Sequence, residues 1–154
     1  MSRLKSCFGD MGFQHISTYI NSGNVIFSSE KDDFSNIEKI LSETFGFQMH
    51  VVIRSAENIV NLASKIPKKW TNDEAQKTDI LFLWDEYDSS SSLHLIEQNP
   101  LVDRLIYIDS AIVWNIYRAE ANESKMDDFI GTKLYKNMTA RNVNTMRKFR
   151  ELLG

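Results

Sequence analysis

A short pattern occurs twice in this sequence at a constant offset of 87 residues (positions 54 and 141), and it constrains the fold more than any other feature. In each copy an arginine at the end of a strand-like stretch precedes a helix-capping residue, and apolar residues at helical spacing follow. The repeated residues are Arg54, Ser55, Ile59, Leu62 and Ile66 in the first copy and Arg141, Asn142, Met146, Phe149 and Leu153 in the second. The pattern indicates an internal duplication.

The order of elements around the two copies predicts the fold. Each half reads as helix, hairpin, helix, strand and helix, which points to the βαββαβ pattern of a ferredoxin-like unit. We therefore expect an α+β protein with two ferredoxin-like halves, residues 1–67 and 78–154. The second half opens with a continuous apolar strand, Asp79 to Trp84, which has no counterpart in the first half. That strand is central in such a sheet, so we expect the first half to lack its leading strand.

A sheet without its central strand would expose unpaired backbone groups at the gap. We expect either that Met1 is not the natural start of a complete protein or that another segment fills the gap. A protein partner or a second copy of the chain is the expected occupant in the latter case.

Local signals place the elements of the first half. In the hairpin, Thr18 is predicted to face Phe27, with Gly23 in the turn. Ser35 and Glu38 form a predicted capping box, and Gly46 ends the helix that follows it. The predicted elements are a helix over 1–12, strands over 15–20 and 24–29, a helix over 35–46, a strand over 48–54 and a helix over 55–66.

The second half has equally clear signals. Asp109 and Ser110 separate two apolar runs, so they are the predicted turn of a second hairpin. Ser124 and Asp127 open a predicted helix that reaches Met138. The remaining predicted elements are a strand over 79–84, a short helix after the serine run 89–92, a strand over 139–141 and a final helix to the C-terminus.

The composition limits the class of protein. The chain of 154 residues has a formal net charge of −3, which argues mildly against a dedicated nucleic-acid-binding protein. No apolar run is long enough for a membrane span, and no signal peptide opens the chain. Cys7 is the only cysteine, and the three histidines lack metal-ligand spacing. We therefore expect a cytoplasmic protein that binds no metal and no cofactor.

The charge is uneven along the chain. Residues 131–154 carry six basic side chains against one acidic side chain, Glu151, so this segment has a charge of +5. A basic segment of this kind suits an anionic partner, although the solvated face of a helix explains it more simply.

The strongest candidate site is the start of the last helix, in the segment Thr139 to Thr145. A helix N-terminus offers free backbone N–H groups and a positive dipole end, which attract phosphate or carboxylate groups. Capping of the helix explains the same residues without a ligand. The candidate ligand-binding residues are Arg141, Asn142, Asn144 and Thr145, with Arg54 and Ser55 as a second copy.

The turn of the first hairpin, Asn21-Ser22-Gly23-Asn24, is a second candidate. Gly23 permits close approach of a ligand to the backbone, and the side chains of Asn21 and Asn24 can orient a ligand. The known preferences of turns for Asn, Ser and Gly also explain all four residues, and we favour that interpretation.

Three segments resemble a bacterial family known as domain of unknown function 1697. They are YINSGNVIF (residues 19–27), VVIRSAE (residues 51–57) and TARNVNTMRKF (residues 139–149). The resemblance spans nearly the whole chain and implies a duplicated ferredoxin-like fold. It implies no known reaction. Members of the family begin with a strand and an arginine- and glycine-containing loop that this chain lacks.

The leading functional hypothesis is a non-catalytic module that binds a small anionic ligand or a protein partner. Arg54 and Arg141 would clamp the anion, and Asn142 and Asn144 would orient it. One alternative is nucleic-acid binding through the basic C-terminal helix. Another is an enzyme whose catalytic loop lies in a segment before Met1. No catalytic residue can be assigned from this sequence.

Overall fold

The computed structural model describes residues 2–19 and 23–154. The protein is mixed α/β with two antiparallel sheets and several helices. It divides into two compact units, Met1–Val51 and Val52–Gly154. The division into halves 1–67 and 78–154 stays a prediction.

The first unit holds the shorter sheet, whose two strands form a hairpin. Cys7 and Phe8 are buried on its first helix, and the Phe8 ring lies 5.2 Å from the Phe27 ring between centroids. Phe13 and Phe34 extend this aromatic cluster. The elements are α1 (Ser2–Asp10), β1 (Gln14–Tyr19), β2 (Asn24–Ser28) and α2 (Ile37–Phe45).

The register of this hairpin differs from the predicted one by two residues. Thr18 pairs with Val25 rather than with Phe27, and Tyr19 pairs with Asn24. The Asn24 side chain donates Nδ2–H to the Tyr19 carbonyl at 3.0 Å, which supports this closure. Because the shift is an even number of residues, the inward and outward alternation of the strands is unchanged.

The predicted capping box at the start of α2 is wrong. Asn36 occupies the N-cap position without a capping side-chain bond. The Ser35 N–H instead donates to Asp33 Oδ1 at 2.9 Å, and Glu38 Oε1 accepts the Val51 N–H at 2.9 Å. Glu38 therefore forms a hydrogen bond with the later segment at Val51 rather than with the N-terminus of α2.

The predicted strand over residues 48–54 is also wrong. All seven residues are described, and none belongs to a strand. Helix side chains satisfy two of the backbone donors there. Met49 N–H donates to Ser42 Oγ at 2.9 Å, and Val51 N–H donates to Glu38. None of the described strands pairs with this segment, so no ladder of backbone hydrogen bonds forms.

The second unit contains a four-stranded antiparallel sheet in the order β4-β5-β3-β6. Asp109 and Ser110 form the turn of the predicted second hairpin, with φ angles of 44° and 72°. The elements are α3 (Ala56–Lys65), β3 (Gln76–Leu83), β4 (Arg104–Ile108), β5 (Ala111–Tyr117), α4 (Met126–Phe129), β6 (Met138–Asn142) and α5 (Val143–Leu153). Short 3₁₀ helices occupy 85–87, 90–95, 118–123 and 135–137.

Both faces of this sheet are covered, which explains the continuous apolar run in β3. Ile80 and Phe82 pack with buried side chains of α3 and α5 on one face. Leu81 and Leu83 pack on the other face with Trp114 and neighbouring apolar residues. We call these the helix face and the opposite face.

The helix predicted from Ser124 to Met138 is much shorter than expected, because α4 ends at Phe129. The Ser124 hydroxyl accepts the Met126 N–H at 3.0 Å, so the predicted start is confirmed. Ile130 is already in an extended conformation, and Gly131 has a φ of 93°, which redirects the chain.

Candidate functional site

The start of α5 is capped by its own residues. Asn142 Oδ1 accepts the Thr145 N–H at 3.1 Å, and Thr145 is buried. Asn144 is exposed and donates Nδ2–H to the Asn72 carbonyl at 3.0 Å. These three predicted site residues therefore hold the helix and its neighbouring loop in this structure.

Arg141 lies on β6 and turns back along its own strand. Its Nη1 donates to Thr139 Oγ1 at 2.9 Å and to the Ala140 carbonyl at 2.7 Å. Burial lowers the pKa of the Arg141 guanidinium from its usual value. The group nevertheless stays charged at neutral pH, because arginine has so high a pKa.

Arg54 and Ser55 lie at the start of α3. Ser55 Oγ accepts the Asn58 N–H at 3.1 Å, so the predicted cap is confirmed. Arg54 Nη2 makes long contacts with the carbonyl groups of Leu83 at 3.4 Å and Ser110 at 3.3 Å. Arg54 Nε is buried and has no hydrogen-bond partner among the described residues.

The starts of α3 and α5 lie at opposite ends of the four-stranded sheet. The side chains of Arg54 and Arg141 nevertheless extend toward one cross-strand row of that sheet, which contains Phe82 and Thr139. Arg54 lies beside Leu83, the last residue of β3, whereas Asn142 pairs with Asp79, four residues earlier. The Arg54 Cζ atom lies 6.0 Å from the centre of the Phe82 ring. Arg141 binds Thr139, which is the cross-strand partner of Phe82. Cross-strand partners have Cβ atoms about 5 Å apart.

One carboxylate lies near this row. Asp88 Oδ2 is 3.9 Å from Arg54 Nη2, at the long limit of an ion pair. Asp88 Oδ1 accepts the Tyr107 hydroxyl proton at 2.6 Å. Burial, together with the hydrogen bond to Asp88 and its charge, raises the pKa of Tyr107 above its ordinary value. Two guanidinium groups and one carboxylate leave the row with net positive charge.

Of the two candidate residues in the first hairpin, the structure describes Asn24. Asn24 is buried at the start of β2 in the first unit. Asn21 and Ser22 lie outside the described residues, so nothing is said of their contacts. The ligand-binding role predicted for Asn21 and Asn24 therefore stays a prediction.

A polar cluster that the sequence patterns did not predict lies at the other end of the helix face. Arg104 and Asn115 are cross-strand partners on β4 and β5, and Thr78 pairs with Asn115 on β3. Asn115 and Thr78 are both fully buried. Polar residues at inward positions of otherwise apolar strands were the signal that marked them in the sequence.

The part of the chain that the structure describes contains no group of three metal-ligating side chains (His, Cys, Asp or Glu) close enough to hold a metal ion. Within the same residues, no helix is both long enough and apolar enough to cross a membrane.

The family model described as "Protein of unknown function (DUF1697)" matches residues 1–114. The chain belongs to this family. The resemblance to this family is therefore confirmed over residues 1–114, which include YINSGNVIF and VVIRSAE, whereas TARNVNTMRKF lies outside the matched range. Membership of DUF1697 assigns no activity, because the family itself is defined without one.

One solved structure similar to this member of DUF1697 is that of a conserved bacterial protein, SP0830, from Streptococcus pneumoniae. The alignment covers 100% of this chain and 88% of that chain, with a TM-score of 0.79 and 22% sequence identity. At this identity the similarity concerns the fold alone. No curated protein matches the chain significantly.

Proposed function

We propose that this protein is a non-catalytic module that binds a small anionic ligand between Arg54 and Arg141. The observation that carries the proposal is the buried Arg54 Nε–H, which has no acceptor among the described residues. A buried guanidinium donor without an acceptor is costly, and an oxyanion is the acceptor that suits it best.

Two further features support an anion at this place. Arg141 approaches the same row of the sheet through Thr139, so a second positive charge is near. The α3 helix begins directly after Arg54 and Ser55, and the positive end of its dipole adds to the attraction. Asp88 opposes an anion, but at 3.9 Å from Arg54 Nη2 its carboxylate makes no hydrogen bond to that atom and leaves Nε without an acceptor.

We also propose that the chain is built from two ferredoxin-like halves. In a βαββαβ unit the first strand is central. The strand order β4-β5-β3-β6 supports this arrangement in the second unit, because β3 comes first in the chain and lies between β5 and β6.

The test is the shift in melting temperature on addition of inorganic phosphate. A ligand that binds only the folded state raises the melting temperature, and the rise grows with the logarithm of the ligand concentration once that concentration exceeds Kd. We expect phosphate to raise the melting temperature of the unmodified protein, and Arg141→Ala to abolish that rise. Arg54→Lys keeps the charge but loses the planar donor fork, so we expect it to weaken the response.

Arg150→Ala is the matched control, because Arg150 is exposed on α5 and the change removes the same charge. We expect this variant to respond to phosphate as the unmodified protein does. A folded Arg141→Ala variant with an undiminished response would remove the proposed site. If Arg141→Ala and Arg150→Ala lose the phosphate response equally, the response reflects the overall positive charge of the protein rather than the proposed site.

A further inference from the structure

The second polar cluster on the helix face has binding features of its own. Arg104 has two buried donor atoms, Nε and Nη2, and neither has a hydrogen-bond partner among residues 2–19 and 23–154. Arg104 also forms no ion pair with any described carboxylate. Arg104 is partly buried, and buried N–H donors of a charged group without an acceptor are unfavourable, so an anion is a suitable partner for them.

The two unpartnered atoms define the shape of that anion. Nε–H and Nη2–H lie on one edge of the guanidinium plane and point in parallel, which matches the two oxygens of a carboxylate. The Arg104 Cζ atom lies 4.3 Å from the centre of the Tyr117 ring and 5.9 Å from the centre of the Trp70 ring. The aromatic rings lie against the guanidinium, so a ligand would bind along the buried edge that carries Nε and Nη2.

Asn115, the cross-strand partner of Arg104, adds a hydrogen-bond acceptor to the cluster. Its Nδ2 donates to Thr78 Oγ1 at 2.7 Å and to Gln76 Oε1 at 3.0 Å. The Thr78 hydroxyl proton is itself donated to the Thr71 carbonyl at 2.8 Å, so Thr78 can only accept from Asn115. This fixes the orientation of the Asn115 amide and leaves its buried Oδ1 without a donor.

The charge count favours a monoanion over a phosphate dianion. Arg118 donates to the Asp73 carbonyl and to Asn72 Oδ1. Lys77 and Asp79 lie on the opposite face of the sheet, where they pair at 3.5 Å. Arg104 is therefore the cation that remains for a ligand in this cluster, and one carboxylate neutralises it.

We infer that Arg104 and Asn115 form a second binding site, separate from the proposed Arg54–Arg141 site, for a small carboxylate with an adjacent hydroxyl or amino group. The carboxylate accepts from Nε and Nη2 of Arg104, and the adjacent group donates to Asn115 Oδ1. Tyr117 is 45% exposed at the end of β5, so rotation of its ring opens the cluster to a ligand.

The experiment is an NMR titration of the full chain with lactate, propionate and inorganic phosphate. Lactate and propionate differ by the hydroxyl group that Asn115 would accept. We expect both carboxylates to move the Arg104 Nε–H signal, but lactate alone to move the Asn115 side-chain amide signals. One extra hydrogen bond predicts about fivefold tighter binding of lactate.

Arg104→Lys tests the donor fork, with Arg150→Lys as its control. We expect Arg104→Lys to weaken the binding of both lactate and propionate by about tenfold or more, since the planar donor fork of arginine is replaced by the compact charge of a lysine ammonium group. It should leave the response of the Arg54–Arg141 site to phosphate unchanged. If Arg104→Lys binds lactate as the unmodified protein does, the site is wrong.

The remaining outcomes are equally decisive. Equal affinity for lactate and propionate at Arg104 would remove the role of Asn115. Tighter binding of phosphate at Arg104 would overturn the carboxylate class. If no compound moves the Arg104 signal, the site is absent, and the Arg54–Arg141 proposal stands or falls on its own melting data.

Discussion

The Trp114 indole donates its Nε1–H to Asp103 Oδ1 at 3.0 Å, which joins the opposite face of the sheet to the loop before β4. Asp103 is only 4% exposed. It also accepts the Ser124 hydroxyl at 2.6 Å and the backbone N–H groups of Asn99 and Lys125, each at 2.9 Å. One carboxylate thus holds three separate segments together.

We expect this carboxylate to make the protein sensitive to acid. Burial alone raises the pKa of Asp103, but the hydrogen bonds from Ser124, Asn99, Lys125 and Trp114 outweigh it and lower the pKa below its usual value. Its stabilisation is therefore complete above the unfolded-state pKa of about 3.9 and is lost as the pH falls through the lower folded-state value. Urea unfolding at a series of pH values measures this loss.

Asp103→Asn is the corresponding variant. The amide cannot accept all four donors, so we expect the free energy of unfolding to fall by roughly 2–4 kcal/mol at neutral pH. Its acid dependence should be shallower than that of the unmodified protein. Asp127→Asn is the control, because Asp127 is exposed. Parallel acid profiles for the unmodified protein and Asp103→Asn would contradict the assignment.

The two capping residues of the repeated pattern give a direct comparison. Ser55→Ala and Asn142→Ala each remove a side-chain acceptor from a helix N–H, so each should cost about 1 kcal/mol of unfolding free energy. Asn36→Ala is a matched control, because Asn36 is an N-cap residue without a side-chain bond. Denaturant unfolding measures all three, and an equal cost at Asn36 would show that the cap bonds contribute nothing.

Much of the second unit could be predicted because its signals are local. Asp109 and Ser110 marked the β4–β5 turn, and the caps at Ser55 and Asn142 marked two helix starts. The prediction of a strand over residues 48–54 was wrong, because a strand forms only beside a neighbouring strand, and local sequence does not specify that neighbour. Glu38 showed the same limit. Its spacing fits a capping box, but a tertiary partner, Val51, takes the carboxylate.

At the candidate site, the repeated sequence pattern identified two arginines but could not predict the contacts of other residues. The repeated pattern singled out Arg54 and Arg141, and both extend toward the row of Phe82 and Thr139. The pattern could not show that Asn144 binds a distant loop at Asn72. Nor could it show that two buried donor atoms of Arg104 lack a hydrogen-bond partner, because only three-dimensional contacts reveal that.

The turn between β4 and β5 stores backbone strain at a serine. Ser110 has a φ of 72°, a conformation that costs a residue with a Cβ atom about 1 kcal/mol relative to glycine. We expect Ser110→Gly to raise the free energy of unfolding by about 0.5–1 kcal/mol, since its backbone carbonyl still accepts from Arg54. Thermal unfolding measures the gain. Ser90→Gly, at an exposed position without a positive φ, should give no gain, and a gain there would indicate a general effect of glycine.

The segment after α2 gives a test that is independent of both proposed sites. Glu38 Oε1 accepts the Val51 N–H, whereas Met49 N–H relies on Ser42. Glu38→Ala should therefore speed hydrogen exchange at Val51 by about fivefold, the value of one hydrogen bond, and leave Met49 unchanged. Glu43→Ala, at an exposed position on the same helix, should change neither amide. Equal acceleration at Met49 and Val51 would mean that Glu38 supports the whole unit rather than this single bond.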